Sequence, residues 1–87
     1  MYYVYILQSL KDKKLYVGFT YDLRKRLKEH NDGLSFSTRG RRPLNLIYYE
    51  AYRNKNDAMV REKFLKTGWG RNYIQRALKN YFHEENK

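Results

Sequence analysis

Cysteine is absent from this chain of 87 residues, so neither a disulfide nor a thiolate metal site can form. No apolar run approaches the roughly 20 residues that a membrane-spanning helix needs. The segment from Met1 to Leu10 has no basic start followed by a long apolar run, and so it does not read as a signal peptide. These absences predict a cytoplasmic protein without a membrane partner.

Acidic residues are few as well. Nine Asp and Glu residues stand against 19 Lys and Arg residues, which gives a net charge of +10. A chain this basic favours a polyanionic partner, with nucleic acid ahead of an anionic membrane surface. Ten tyrosines add to that expectation, because aromatic rings among cations can stack on bases. Tyrosines also fill half-buried sheets well, so composition leaves both interpretations open.

The hydrophobic pattern predicts one α+β domain over residues 1–83, followed by a short polar tail at 84–87. The predicted order is β-β-α-β-α-α, a three-stranded antiparallel sheet flanked by helices. Predicted strands cover residues 2–8, 15–19 and 44–52, and predicted helices run from about 21 to a stop at Gly33, from 57 to 67 and from 72 to 82. Thr20 or Asp22 can cap the first helix, whereas Gly68-Trp69-Gly70 is expected to break the helical run. Residues 31–43 read as a long irregular loop, of a length that is often functional.

Two tyrosine-bearing segments near the N-terminus are the most informative feature of the chain. Phenols fall on two neighbouring strands, but the sequence does not fix whether they share a face. Arg26 and His30 are four residues apart and therefore lie on one face of the next helix. The two segments are Tyr3-Val4-Tyr5 and Tyr16-Val17-Gly18.

In their order along the chain, these residues resemble the signature of the GIY-YIG nuclease superfamily. The two tripeptides match the two that give the family its name, with Tyr3 in place of the first glycine. The family's helical arginine falls on Arg26, a histidine of many members on His30, and its metal-binding glutamate on Glu62. Three further stretches resemble the small stand-alone bacterial branch, which is similar to the N-terminal domain of excinuclease C: 40–43, 46–50 and 66–71.

The resemblance implies a metal-dependent endonuclease that hydrolyses DNA phosphodiester bonds. The implied catalytic residues are Tyr5, Tyr16, Arg26, His30 and Glu62. Glu62 offers a hard carboxylate oxygen suited to Mg²⁺ or Mn²⁺, although its spacing from Lys66 alone favours an ordinary surface ion pair. A free phenol has a pKa near 10 and needs a nearby cation to act as a base at neutral pH.

Each catalytic residue has an expected role. Arg26 can bind a phosphate in a bidentate manner, although without the family match it is one more cation on a basic helix. His30 titrates near neutrality and can relay a proton, or it can act structurally near the helix C-terminus. We favour Tyr16 as the group that activates or orients water, with Tyr5 supporting it through a hydrogen bond. The family often adds an asparagine; Asn72 is the nearest candidate, and its role stays open.

The expected partner is DNA, single-stranded or structured, bound through phosphate contacts that carry no sequence information. Sequence specificity is therefore expected to be low. DNA versus RNA stays open, and the protein can work as a monomer or an oligomer. A non-catalytic nucleic-acid-binding module on the same fold is the first rival, and a protein that binds anionic membranes through its third helix is the second. The predicted nucleic-acid-binding residues are Arg39, Arg41, Arg42, Arg61, Lys63 and Lys66.

Overall fold

The computed structural model describes residues 1–85 as a three-stranded sheet with helices on both of its faces. The α+β architecture and its antiparallel sheet confirm the predicted fold class. Among the described residues, no helix is both long and apolar enough to cross a bilayer. The elements are β1 (Tyr2–Ser9), β2 (Leu15–Thr20), α1 (Leu23–Asn31), a short 3-10 helix (Arg39–Arg41), β3 (Leu44–Tyr52), α2 (Lys55–Leu65), α3 (Gly68–Ala77) and α4 (Lys79–Glu85).

Strand β1 lies in the centre of the sheet, with β2 and β3 antiparallel on either side. The register places Tyr5 opposite Gly18 and Leu7 opposite Tyr16. Since residues two apart on a strand point to the same face, Tyr5 and Tyr16 share a face. The structure thus answers the question of register that the sequence left open.

The side chains of β1 alternate between the two faces of the sheet and so contribute to a hydrophobic core on each face. Val4 and Ile6 are fully buried on one face, where they join Ala58 and Leu65 of α2 and Ile74 of α3. On the other face, the buried residues are Tyr5 and Leu7 of β1 together with Leu44, and two leucines of α1 pack against them: Leu23 and Leu27. The central strand is therefore covered by α2 and α3 on one side and by α1 on the other.

Polar side chains cap the helices at their N-termini. Asp22 accepts a hydrogen bond from the backbone N–H of Lys25 and so caps α1, and Asn54 does the same for α2. Gly33, the predicted stop signal, has a φ of 81° just after the end of α1. Helix α2 begins at Lys55, two residues before the predicted start.

The C-terminal helices differ from the prediction. The predicted break in the helical run is present, but it lies at residues 66 and 67 instead of 68–70, and α3 begins at Gly68. The reason is a cap: the side-chain oxygen of Thr67 accepts a hydrogen bond from the N–H of Gly70 at 3.1 Å. The predicted helix 72–82 is two helices, because Leu78 leaves the helical conformation with φ −110° and ψ 27°. Helix α4 continues to Glu85, so it overlaps the predicted tail, and residues 86 and 87 lie outside the described residues.

The segment after α1 is fastened to the sheet. The side-chain amide of Asn31 accepts a hydrogen bond from the Leu44 N–H at 2.8 Å and donates one to the Leu44 carbonyl at 3.0 Å. The Ser9 hydroxyl donates to the Arg41 carbonyl at 2.6 Å. These contacts order a stretch that the sequence predicted only as an irregular loop.

Candidate active site

Two phenols from adjacent strands form the floor of the site. The ring centroids of Tyr5 and Tyr16 are 6.4 Å apart, and the rings are tilted by 43°. Tyr5 is 1% exposed, whereas Tyr16 is half-buried. Gly18 makes room for the Tyr5 ring, because a Cβ at this position would lie 2.3 Å from both Cζ and Oη of Tyr5. The glycine of the second tripeptide is thus required by the tyrosine of the first.

Helix α1 brings His30 onto these rings. The imidazole is fully buried, and its Nε2 lies 2.8 Å from Oη of Tyr5. Its Nδ1 lies 2.7 Å from the hydroxyl of Thr38. The Tyr16 ring packs edge-on against the imidazole at 5.1 Å between centroids. Both nitrogens of His30 are therefore engaged, and the side chains of Tyr5, His30 and Thr38 form a continuous hydrogen-bonded row.

Burial controls the charge of His30. Desolvation, together with the nearby positive charge of Arg26, lowers the pKa of His30 to about 4. The ring is therefore neutral at pH 7, and one nitrogen donates a hydrogen bond while the other accepts one. Either Tyr5 donates to Nε2 and Nδ1 donates to Thr38, or Thr38 donates to Nδ1 and Nε2 donates to Tyr5. A histidine that titrates near neutrality, as the sequence predicted, does not fit this environment.

Tyr5 is held in its protonated form. Burial raises its pKa to about 12, with further contributions from Tyr16 and from the negative charge of Glu62, and the opposing effect of Arg26 is too small to reverse this. A phenol with such a pKa gives up its proton less readily than a free one. Tyr5 is therefore suited to donate or relay a hydrogen bond rather than to act as a base, which leaves the more accessible Tyr16 for that role.

Arg26 lies one turn before His30 on α1. Its guanidinium donates to Glu29 at 3.2 Å and to the Ser35 hydroxyl at 3.3 Å, and about a third of the side chain (31%) is exposed. Burial opposes the charge, but interactions with the phenol of Tyr5 and with Glu29 raise the pKa of Arg26 above its usual value. A guanidinium has five N–H donors, so donors remain for an anion from solvent.

Glu62 comes from the opposite layer of the fold, since α2 packs on the Val4 and Ile6 face of the sheet. Its carboxylate forms the predicted ion pair with Lys66 at 3.1 Å, and its side chain is 22% exposed. Lys66 and Tyr16 line one cleft of about 210 Å³ beside the edge strand β2. The charge of Glu62 also acts on Tyr5. Tyr5, Tyr16 and His30 are in mutual contact, and of the five predicted catalytic residues Tyr16 is the one that lines this cleft. Arg26 and Glu62 influence the pKa of Tyr5.

A metal at this site would depend on Glu62. Within residues 1–85 there is no group of three or more His, Cys, Asp or Glu side chains that could hold an ion. Mg²⁺ needs no such group, because it commonly binds one or two carboxylates and keeps water and substrate phosphate in its remaining positions. A single, partly exposed carboxylate beside a basic cleft fits that mode of binding. A larger groove of about 440 Å³ is lined instead by residues including Tyr3, Tyr21 and Tyr49.

The predicted phosphate-binding residues fall into two groups. Arg39 and Arg42 are exposed, while Arg41 donates to Asp12 at 3.3 Å. Lys63 and Lys66 are exposed on and after α2. Arg61 differs from all of these because two aromatic rings cover its guanidinium.

Arg61 is engaged within the fold. Its guanidinium donates two hydrogen bonds to Glu50, at 2.9 and 3.0 Å, and it stacks over the rings of Phe64 and Tyr73. Tyr48 and Tyr52 also donate to Glu50. The sequence offered a signal for this network, because residues 48, 50 and 52 alternate onto one face of β3. As a phosphate ligand, Arg61 stays a prediction, with two of its five N–H donors bound to Glu50.

Thr38 is a site residue that the sequence did not reveal. It is fully buried, and its hydroxyl forms a hydrogen bond with Nδ1 of His30. It follows His30 by eight residues within a loop, so no helical or strand period connects the two. Asn72, whose role was left open, is exposed at the start of α3 and lines a shallow groove with Trp69 and Arg71.

Comparisons with known proteins bear on the family and the fold of this chain. A family model described as the GIY-YIG catalytic domain matches residues 1–75. A UPF0213 protein of Clostridium perfringens is 42% identical over 87 residues, which cover 99% of this chain and 92% of that protein. A UPF0213 protein of Bacillus pumilus is also 42% identical, over 93 residues that cover 99% of this chain and 93% of the relative.

A solved structure is similar as well. The solution NMR structure of a UPF0213 protein from Bacillus halodurans has a TM-score of 0.54 and 36% sequence identity, and the match covers 91% of this chain and 86% of that one. The relatives found are therefore UPF0213 proteins, and the likeness to excinuclease C stays a prediction.

Proposed function

The chain belongs to the GIY-YIG catalytic domain family, and on that premise we propose that it is an endonuclease that hydrolyses DNA phosphodiester bonds. The observation that carries the proposal is the convergence of two phenols, a guanidinium and a carboxylate beside the β2 edge. Tyr5 and Tyr16 lie in contact there, and both Arg26 and Glu62 act on the charge of Tyr5. Phosphoryl transfer needs an oriented water and stabilisation of negative charge, which these groups can supply.

The proposed roles follow from exposure and pKa. As the more accessible phenol, Tyr16 orients the attacking water, and in its phenolate form, stabilised by the positive charge of Arg26, it accepts the water's proton. Tyr5, with a pKa raised to about 12, keeps its own proton and is held in place by His30. Arg26 binds a non-bridging oxygen of the scissile phosphate with the donors that Glu29 and Ser35 do not use.

Glu62 is the proposed ligand for Mg²⁺ or Mn²⁺. The chemistry supplied by the ion when bound is polarisation of a phosphoryl oxygen and stabilisation of the leaving oxygen. Lys66 balances the carboxylate in the free protein and is close enough to the cleft to contact a neighbouring phosphate. Products with 5′-phosphate and 3′-hydroxyl ends are what the family implies.

Low sequence specificity follows from the kind of contact available. The exposed cations Arg39, Arg42 and Lys63 can pair with phosphates, and phosphate contacts position a nucleic acid without reading its bases. Single-stranded or branched DNA is the proposed substrate, because a small basic surface can bind it without entering a groove.

The proposal is tested by cleavage of end-labelled DNA with Mg²⁺ or Mn²⁺. Glu62→Gln and Tyr16→Phe should each lower the cleavage rate at least about 100-fold, since each removes a group that acts on the reacting phosphate or water. Matched controls are Glu84→Gln and Tyr49→Phe, which change exposed residues outside the cleft and should retain the parent rate.

The rival function gives a different result in the same assay. A nucleic-acid-binding module would bind DNA in a salt-sensitive, metal-independent manner and cut none of the substrates with either metal. That outcome, or unchanged cleavage by both site variants, would contradict the proposed mechanism.

A further inference from the structure

Trp69 is the chain's single tryptophan, and 79% of it is exposed to solvent. Tryptophan is a large residue that is highly buried on average in folded proteins. Exposed aromatic rings flanked by cations are a common feature of surfaces that bind single-stranded nucleic acid. The exposed indole ring is therefore available to bind a partner molecule.

The ring is presented on a rigid support. Trp69 is the second residue of α3, and Gly70 beside it is buried against the end of α2. A Cβ on Gly70 would lie 2.2 Å from the Phe64 carbonyl oxygen, so the two backbones are in close contact. The Gly70 N–H also donates to Thr67. The exposure of Trp69 is consequently built into the packing of two helices rather than a result of fraying.

Trp69 is next to the candidate active site. Its groove is lined by Gly68, Arg71 and Asn72, and Arg71 also lines the cleft that contains Tyr16 and Lys66. That cleft, at about 210 Å³, is below the roughly 300–1,000 Å³ of pockets that enclose small ligands. A cleft this small, which shares Arg71 with the open groove of Trp69, suits a strand lying across both better than an enclosed small molecule.

The charge around Trp69 favours an anionic chain. Helix α3 carries Arg71 and Arg76 and has no Asp or Glu in its sequence GWGRNYIQRA. Neither the cleft nor the groove of Trp69 has a carboxylate among its described lining residues, and Lys66 of the cleft is paired with Glu62 at 3.1 Å. A polymer that combines a phosphate backbone with flat, unpaired rings matches both features.

We propose that Trp69 stacks on an unpaired base of a single-stranded polynucleotide, next to the nucleotide whose phosphate enters the Tyr16 cleft, and that Arg71 contacts the phosphate between them. Bases in a duplex are already stacked and paired, so they are not available to this ring. The inference deepens the proposed function and rests on it for the chemistry at the cleft, but the binding it describes can be measured without cleavage.

The experiment uses the Glu62→Gln protein in EDTA, so that no cleavage occurs. The emission of the one tryptophan is followed during titration with a 12-nucleotide oligothymidylate, the matching ribo-oligomer, a 12-base-pair duplex and anionic phosphatidylserine vesicles. Saturable quenching by either single strand, with at least about fivefold weaker quenching by the duplex, supports stacking of an unpaired base.

Variants separate stacking from general attraction. On labelled oligothymidylate, Trp69→Leu should weaken binding at least about fivefold, while Trp69→Phe keeps most of the affinity because a ring remains. Phe36→Leu is the matched control, since it removes another exposed ring, 86% exposed and covered on one face by Arg39. It should change the affinity less than about twofold.

The inference is overturned if Trp69→Leu binds as tightly as its parent, if Phe36→Leu loses as much affinity, or if only the vesicles quench the emission. These results are independent of the cleavage assay. If the protein stacks single strands on Trp69 but cuts no substrate, only the proposed function is contradicted. If the protein is an active nuclease whose binding does not change when Trp69 is substituted, only this inference is contradicted.

Discussion

The imidazole of His30 is fixed at both nitrogens, and its environment makes the unfolded state the better proton acceptor. In the folded protein its pKa is about 4, below the usual value of 6.5. Between these two pH values the unfolded chain therefore binds more protons than the folded protein. The contribution of His30 to the free energy of unfolding has its full value above about pH 6.5 and falls as the pH drops towards 4. At roughly 1.4 kcal/mol per pH unit, the loss amounts to at most about 3 kcal/mol.

This pH dependence can be measured by denaturant unfolding between pH 4 and pH 7. His30→Gln should be less stable at pH 7 because it disturbs the contacts to Tyr5 and Thr38, but its stability should change less over this range than that of the parent. His83→Gln, which removes the other, exposed histidine, should keep the slope of the parent. An equal slope in the parent and the His30 variant would show that this residue does not control acid stability.

At the same scale, the identity of the site residues stays a prediction, whereas their protonation states could not be predicted from the sequence. The spacing of Arg26 and His30 predicted one helix face, and both side chains do interact with Tyr5. Burial is a property of the folded molecule, so the neutral imidazole and the raised pKa of Tyr5 could not be predicted. Thr38 could not be predicted either, because its contact with His30 is made by a loop and follows no period.

The junction between α2 and α3 is the element on which the C-terminal layer depends. Gly70→Ala would place a Cβ 2.2 Å from the Phe64 carbonyl oxygen and 2.4 Å from the Leu65 Cα, both of which are backbone atoms. The helices must then move apart, and we expect a loss of about 1–3 kcal/mol in the free energy of unfolding. Thermal and urea unfolding of the purified variant measure it.

Gly68→Ala is the matched control for that substitution. A Cβ at position 68 meets no atom within 4 Å, and alanine is the better helix former, so its stability should equal or slightly exceed that of the parent. If Gly70→Ala were as stable as Gly68→Ala, the close contact between α2 and α3 would not contribute to stability.

This junction also explains where the prediction of elements failed. The strands and the first two helices follow hydrophobic periods, and they lie within a few residues of their predicted bounds. Two glycines around Trp69 are typical of a break, and local propensity favoured one. The break lies at residues 66 and 67 instead, because Thr67 caps α3 and Gly70 permits its close packing against α2.

For the molecule as a whole, a net charge of +10 predicts nucleic-acid binding that weakens steeply with salt. On a single strand, each neutralised phosphate contributes about −0.7 to the slope of log K against log salt concentration. Arg39→Gln should weaken binding of all sequences alike and make this slope less steep by about that amount, because exposed Arg39 lies on the basic segment after α1.

Fluorescence anisotropy at several salt concentrations measures that slope. Arg53→Gln is the matched control, because it removes one exposed positive charge just after β3 and should leave the slope unchanged. Equal changes from the two variants would mean that overall charge, rather than the basic segment, determines affinity.

The position of β1 in the centre of the sheet limits how this protein can change by mutation. Its odd-numbered residues include Tyr5, which faces His30, and its even-numbered residues Val4 and Ile6 face Ala58 in the opposite layer. Inserting or deleting one residue within β1 would exchange the two sets, so a phenol would enter the apolar layer while aliphatic side chains faced His30. Point substitutions can adjust the core and the site separately, whereas a change in the length of this strand would alter both at once.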